Sequence, residues 1–155
     1  MNKHHYVVIM AGGIGSRFWP MSRTNFPKQF LDILNIGKTL IQTTFERFAT
    51  FIPVENIYVV TSNEYVDIVK DQLPQLPLQN ILAEPSRKNT APCIAYTAFK
   101  LHQLDPQAKI IVAPADHLIS DNIAFTKVCL EALGFVNGHN ALLTLGINPT
   151  HPNTG

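Results

Sequence analysis

Short apolar runs alternating with helical periodicity along the whole chain constrain its fold more than any other feature. The runs are Tyr6-Val7-Val8-Ile9-Met10-Ala11, Asn56-Ile57-Tyr58-Val59-Val60-Thr61, Asn80-Ile81-Leu82-Ala83, Lys109-Ile110-Ile111-Val112-Ala113 and Ala141-Leu142-Leu143-Thr144-Leu145. Runs this continuous suit strands buried on both faces of a parallel sheet. Between the first two, Ile41, Phe45, Phe48 and Ile52 share one helical face; after the second, Tyr65, Val69 and Leu73 mark another helix, stopped by Pro74. Ile94, Ala98 and Leu101 mark a third, and Phe125, Val128, Cys129, Ala132, Leu133 and Val136 form a long stripe closed by Asn137-Gly138. The pattern predicts an α/β chain: a Rossmann-like three-layer sandwich whose mostly parallel sheet carries helices on both faces.

Ligands of such sheets bind at the carboxyl ends of the strands, so chemistry-bearing residues belong just after each run. They are there. Gly12-Gly13-Ile14-Gly15-Ser16-Arg17 follows the first run, Glu84-Pro85 the third, and Pro114-Ala115-Asp116-His117 the fourth. Glycines at a strand end let the backbone approach a ligand and leave N–H groups for phosphate oxygens. Arg17 and Lys28 add positive charge where a polyphosphate would lie, which points to a nucleoside triphosphate site.

Two better-known glycine loops do not match. The dinucleotide fingerprint needs a third glycine for helix–strand packing, and counting from Gly13 that position is Phe18. Gly37-Lys38-Thr39 supplies the second half of a P-loop, but the first glycine would fall on Asp32. Gly37 is therefore expected in a turn ahead of a helix starting near Thr39.

At 155 residues the chain has room for one domain with a substantial core. Its net charge is +1 and only 15% of residues are charged, against a usual ~25%, so nothing favours a nucleic-acid partner. No segment approaches the ~20 apolar residues of a membrane span. The short apolar run after Met1-Asn2-Lys3-His4-His5 is not expected to act as a secretory leader, and the expected location is the cytoplasm. Cys93 and Cys129 fall on apolar helical faces and suit small buried hydrophobes in a reducing compartment. His4-His5 is a weak metal pair, better taken as a frayed edge. The close at Pro152-Asn153-Thr154-Gly155, a loop at the rim, suggests a piece of a longer chain.

Gly12, Gly13, Gly15, Arg17, Pro20, Pro27 and Lys28 together resemble the opening motif of the sugar-nucleotide pyrophosphorylases, the nucleotidyltransferases. Further segments are similar to the mannose-1-phosphate guanylyltransferase branch of that family. They are Phe18-Trp19-Pro20-Met21-Ser22-Arg23, Pro27-Lys28-Gln29-Phe30-Leu31, Glu84 through Pro92, Pro114-Ala115-Asp116-His117, and Pro152-Asn153-Thr154-Gly155. Five collinear motifs are more specific than one glycine loop. Lys88 stands where the family often has arginine, with Arg87 one place earlier, and lysine keeps the charge without the bidentate fork.

The resemblance implies the nucleotidyltransferase fold, with residues 1–155 as the N-terminal nucleotide-binding part of the catalytic domain. It implies transfer of a guanylyl group from GTP to mannose 1-phosphate, giving GDP-mannose and pyrophosphate. The sugar phosphate is already an anion, so this in-line displacement rests on positioning and electrostatics rather than on a base. The family's second half, with much of the sugar pocket, a sugar-phosphate lysine and a second metal aspartate, would lie beyond Gly155. Many relatives also carry a C-terminal β-helix and some a fused isomerase, and the resemblance leaves room for a homo-oligomer in the full-length protein.

Arg17 is expected on the β- and γ-phosphates and Lys28 on the α-phosphate, with Asp116 as third catalytic residue. Ala11, Gly12, Gly13, Gly15 and Ser16 would line the phosphates and base. Asp116 offers a hard carboxylate for Mg²⁺, though a lone aspartate after a strand equally forms turns; the resemblance favours the metal. His117 is expected to orient or support. Glu84 can accept from both donors of guanine, N1–H and the exocyclic amine, or can simply serve as a helix N-terminal acid; the resemblance puts guanine ahead. Asn89 and Thr90 suit helix capping with nucleotide contact, and Gly155 an approach to the sugar. A non-catalytic nucleotide-binding module, or transfer with another base or sugar such as dTTP and glucose 1-phosphate, are the alternatives.

Overall fold

The computed structural model describes residues 1–13, 19–23, 26–84 and 89–146. Four strands, β1 (His5–Met10), β2 (Ile57–Ser62), β3 (Ile81–Glu84) and β4 (Lys109–Pro114), pair in parallel in the order β3-β2-β1-β4. Four helices accompany them: α1 (Leu40–Ala49), α2 (Val66–Gln72), α3 (Thr90–Leu104) and α4 (Asn122–Gly138). The chain steps outward from β1 to β3 and then returns to the opposite side of β1 for β4. Strand order therefore reverses between β1 and β4, the position where open α/β sheets hold their ligands.

Alternation along the strands builds two cores. Val7, Ile9, Ile57 and Val59 face α1, α2 and α4 through Ile41, Phe45, Phe48, Val69, Cys129 and Leu133. Val8, Tyr58, Val60 and Leu82 face α3 through Cys93 and Leu101. With side chains pointing alternately to the two faces, both sets are buried, which gives the expected three layers.

Two asparagine amides align the strand starts. Asn56 donates through Nδ2 to the carbonyls of Lys3 (2.8 Å) and His5 (3.0 Å), and Asn80 to those of Glu55 (2.9 Å) and Ile57 (2.8 Å). Each ties a strand's entry to its neighbour, and the carboxyl ends come into line as a result.

The turn before α1 is as expected. Gly37 has a φ of 78°, and Thr39 caps α1 while its amide donates to Gln42 Oε1 at 2.9 Å. The Asp32 carboxylate accepts from the amides of Ile36 (3.1 Å) and Gly37 (2.7 Å). An anion in the slot of the first P-loop glycine excludes a phosphate there.

Three expectations need correction. Residues 141–146 form no strand, and Leu142 is fully exposed. An apolar run becomes a strand only where its backbone groups meet a neighbour, and β4 is the last strand on its side among the described residues. Secondly, α3 buries Cys93, Thr97 and Leu101, whereas Ile94 is exposed. Thr97 can face the core because its hydroxyl donates to the Cys93 carbonyl. Thirdly, β4 is half-buried, not buried, because among the described residues it has a partner strand on one side only.

Candidate functional site

The carboxyl end of β1 runs directly into the glycine segment. Ala11 stays within the sheet: its N–H donates to the Val60 carbonyl at 2.7 Å, and its own carbonyl accepts from Thr61 Oγ1 at 3.0 Å. Ala11 thus supports the loop and offers no free donor to a nucleotide. Gly12 and Gly13 follow with no positive φ, so their backbone is one that any residue could adopt. A Cβ built on Gly13 would meet nothing within 4 Å, and one on Gly12 would lie 3.5 Å from Glu84 Oε2. Glycine here keeps space open in front of the backbone; it is not demanded by a turn.

That space is a cavity of about 390 Å³ lined by Met10, Gly12, Gly13, Glu84, Asn89, Thr90 and Cys93. The volume is in the range of small-ligand sites. Glu84 is the last residue of β3, paired in register with Ser62, and its carboxylate reaches toward Gly12. Burial holds the Glu84 carboxyl above its ordinary value, against a hydrogen bond from Cys93 that pulls it down. Asn89 occupies the N-cap of α3 at a φ of 66°, with no hydrogen bond from its side chain to the helix. Its amide can therefore serve the cavity instead.

Lys28 begins a single 3₁₀ turn, Lys28–Phe30, held from beneath. Phe30 is buried, packs edge-on against Tyr65 at 5.6 Å between centroids, and accepts Gln72 Nε2 on its carbonyl at 3.0 Å. With the turn anchored, the Lys28 ammonium lies 3.5 Å from the Asp116 carboxylate. Asp116 follows Ala115, which is buried and held by two bonds: its N–H donates to Met10 O at 3.0 Å, and its carbonyl accepts from Thr44 Oγ1 at 3.2 Å. The Asp116 side chain is 42% exposed and His117 is exposed.

Sequence reasoning missed Gln29. Its side chain is buried, and Nε2 donates to both Ala11 O and Gly13 O at 2.9 Å. One amide thus straps the glycine segment to the turn that carries Lys28. A buried glutamine beside a glycine loop was the available signal, since buried amides need partners.

The structure thus brings together Gly12, Gly13, Glu84, Asn89 and Thr90 around one cavity, and Lys28 with Asp116 beside it. Gly13 is common to both, through the cavity wall and through Gln29. Gly15, Ser16, Arg17 and Gly155 lie outside the described residues. Among the described residues no three His, Cys, Asp or Glu side chains cluster as a metal site. A wider groove of about 740 Å³ between Thr50 and the first half of α4 includes none of these residues.

Known proteins resemble this chain in sequence and in fold. Mannose-1-phosphate guanylyltransferase of Salmonella typhimurium is 42% identical over 153 residues, covering 96% of this chain and 31% of its own length. That of Escherichia coli is 40% identical over 154 residues, covering 97% and 32%. An alginate biosynthesis protein of Pseudomonas putida is 41% identical over 151 residues, covering 96% and 30%. The chain spans about a third of the length of these relatives. A crystal structure described as mannose-1-phosphate geranyltransferase from Thermus thermophilus superposes with a TM-score of 0.72 at 31% identity, covering 83% of this chain and 37% of that one. A mannose-6-phosphate isomerase structure from Helicobacter pylori, at 22% identity and a TM-score of 0.66, shares the fold over 87% of this chain and 47% of its own. The nucleotidyl transferase family matches residues 6–155, and the chain belongs to that family.

Proposed function

We propose that the protein transfers a guanylyl group from GTP to mannose 1-phosphate, releasing pyrophosphate and forming GDP-mannose. The observation that carries this reading is the pairing of a cavity walled by Glu84 and bare glycine backbone with a Lys28–Asp116 pair at 3.5 Å, beyond the carboxyl ends of β1, β3 and β4. The relatives named for this transfer support the choice of substrates.

The base sits in the cavity with its N1–H and exocyclic amine on the Glu84 carboxylate. The Gly12 and Gly13 backbone passes close to the nucleotide because no side chain stands in the way. Lys28 leaves Asp116 and takes the α-phosphate, offsetting charge as the sugar phosphate attacks. Arg17, by its guanidinium fork, is assigned to the departing pyrophosphate. Gly15, Ser16 and Thr90 are assigned to the nucleotide and Gly155 to the sugar.

Mg²⁺ suits the donor set, because Asp116 offers an exposed hard carboxylate beside the phosphate position and Mg²⁺ commonly takes one or two carboxylates plus phosphate oxygens. When bound, it supplies neutralising charge to the polyphosphate. Cytoplasmic work fits two cysteines that are both free and buried. Among the described residues no helix is long and apolar enough to cross a membrane.

The test is turnover by the protein as its gene encodes it, with GTP, mannose 1-phosphate and Mg²⁺, followed as pyrophosphate release. GDP-mannose formation is expected. Equal rates with mannose 1-phosphate omitted, or none under any condition, would contradict the reading.

A further inference from the structure

Glu84 does not stand alone in the cavity. Cys93, one turn into α3, lines the same space, and its thiol and the Glu84 carboxylate influence each other's protonation. Cys93 is buried at 5% exposure, and its backbone carbonyl accepts from the Thr97 hydroxyl one turn on. On the other side, Glu84 Oε2 lies beneath Gly12, 3.5 Å from where a Cβ would be. The carboxylate is thus confined between a glycine and a thiol.

We propose that Cys93 is a positioning residue for base recognition, its S–H donating to one lone pair of Glu84 so that the remaining lone pairs face the cavity. The inference rests on the reading of Glu84 as the guanine acceptor. An ionised carboxylate has about four lone-pair sites and guanine uses two, so a third partner can fix the plane of the group without competing. The donor is reliable because burial and the nearby carboxylate push the thiol up to about 11, so it keeps its proton throughout the working range. A bond to a charged acceptor also exceeds the ordinary strength of a thiol donor.

The experiment compares dissociation constants for GTP and inosine triphosphate, which lacks the exocyclic amine, with pyrophosphate as a base-free control. It uses the protein as encoded, in Cys93→Ala, Cys93→Ser and Glu84→Gln forms, each checked by thermal melting. Glu84→Gln should reduce the preference for GTP over inosine triphosphate by about tenfold or more. Cys93→Ala should reduce it by roughly threefold to tenfold with pyrophosphate affinity unchanged, and Cys93→Ser should restore at least half of it. If Glu84→Gln removes the preference and Cys93→Ala leaves it within about twofold, the Cys93 role is wrong and the Glu84 reading stands. An equal loss of GTP and inosine triphosphate in Cys93→Ala would reveal plain packing and also overturn it. If Glu84→Gln leaves the preference intact, the Glu84 reading fails and takes this inference with it.

Discussion

Lys28 and Asp116 face each other at 3.5 Å, one carried by the turn after β1 and the other by the loop after β4. Strand order reverses between these strands, so residues far apart in sequence meet at the rim. Before substrate arrives each offsets the other's charge. A polyphosphate with its cation offers both a better partner: the ammonium to phosphate, the carboxylate to metal.

Asp116→Asn tests that exchange. The pair is partly exposed, so the melting midpoint should move by less than the equivalent of about 1 kcal/mol. Pyrophosphate release dependent on Mg²⁺ should fall on the order of a hundredfold or more, while metal-free GTP should bind no more weakly than to the wild type. A large loss of metal-free binding would place Asp116 in the fold rather than at the metal.

Gln29→Ala leaves two carbonyls at the loop without their shared donor. The expected cost is about 1–3 kcal/mol of stability, with weaker nucleotide binding as the Gly12–Gly13 segment loosens. Gln29→Glu should be worse, since a carboxylate cannot donate to either carbonyl. Denaturant unfolding and GTP titration measure both. Unchanged affinity in Gln29→Ala would separate the strap from the site.

Gly12→Ala distinguishes open space from turn geometry. The added methyl meets only ordinary contact, 3.5 Å from Glu84 Oε2, so the fold should persist with an unchanged melting curve. It intrudes on the cavity, and GTP affinity should drop roughly tenfold, as overpacking a filled site does. Normal affinity would remove the close-approach role of this glycine.

Glu84 carries a pH signature in two directions. Its folded-state carboxyl is held above the ordinary 4.5 by burial, so the folded form binds more protons between the two values. Its contribution to stability is full below 4.5 and is lost as pH rises through the raised value. Glu84→Gln should therefore melt higher than wild type at neutral pH and lose that advantage toward acid. GTP binding needs the anion and should weaken as pH falls through the same raised value. Melting and GTP titration across mildly acidic pH check both trends.

The four described strands were legible because a parallel strand covered on both faces leaves an unbroken apolar run. Ala141–Leu145 has the same appearance and stays unpaired, since composition reports a wish for burial and not the presence of a neighbour. The α3 face was misplaced by one residue because Thr97, polar in sequence, satisfies its hydroxyl within the helix and so packs inward. The placement of Glu84 and Asp116 at strand ends was legible from the apolar runs before them, and Lys28 stood out as a charge beyond the glycine loop. The strap made by Gln29 and the place of Cys93 in the cavity wall were not legible, because neither side chain carries a charge that marks it.

The central claim is that the cavity beside Lys28 and Asp116 selects guanine through Glu84. It is tested most directly by titrating GTP, ATP and dTTP with Mg²⁺ into the wild-type protein and Glu84→Gln. The account predicts GTP tighter than either competitor by about tenfold or more, with that margin lost in the variant. Equal affinities for the three, or a preference for GTP that survives Glu84→Gln, would contradict it.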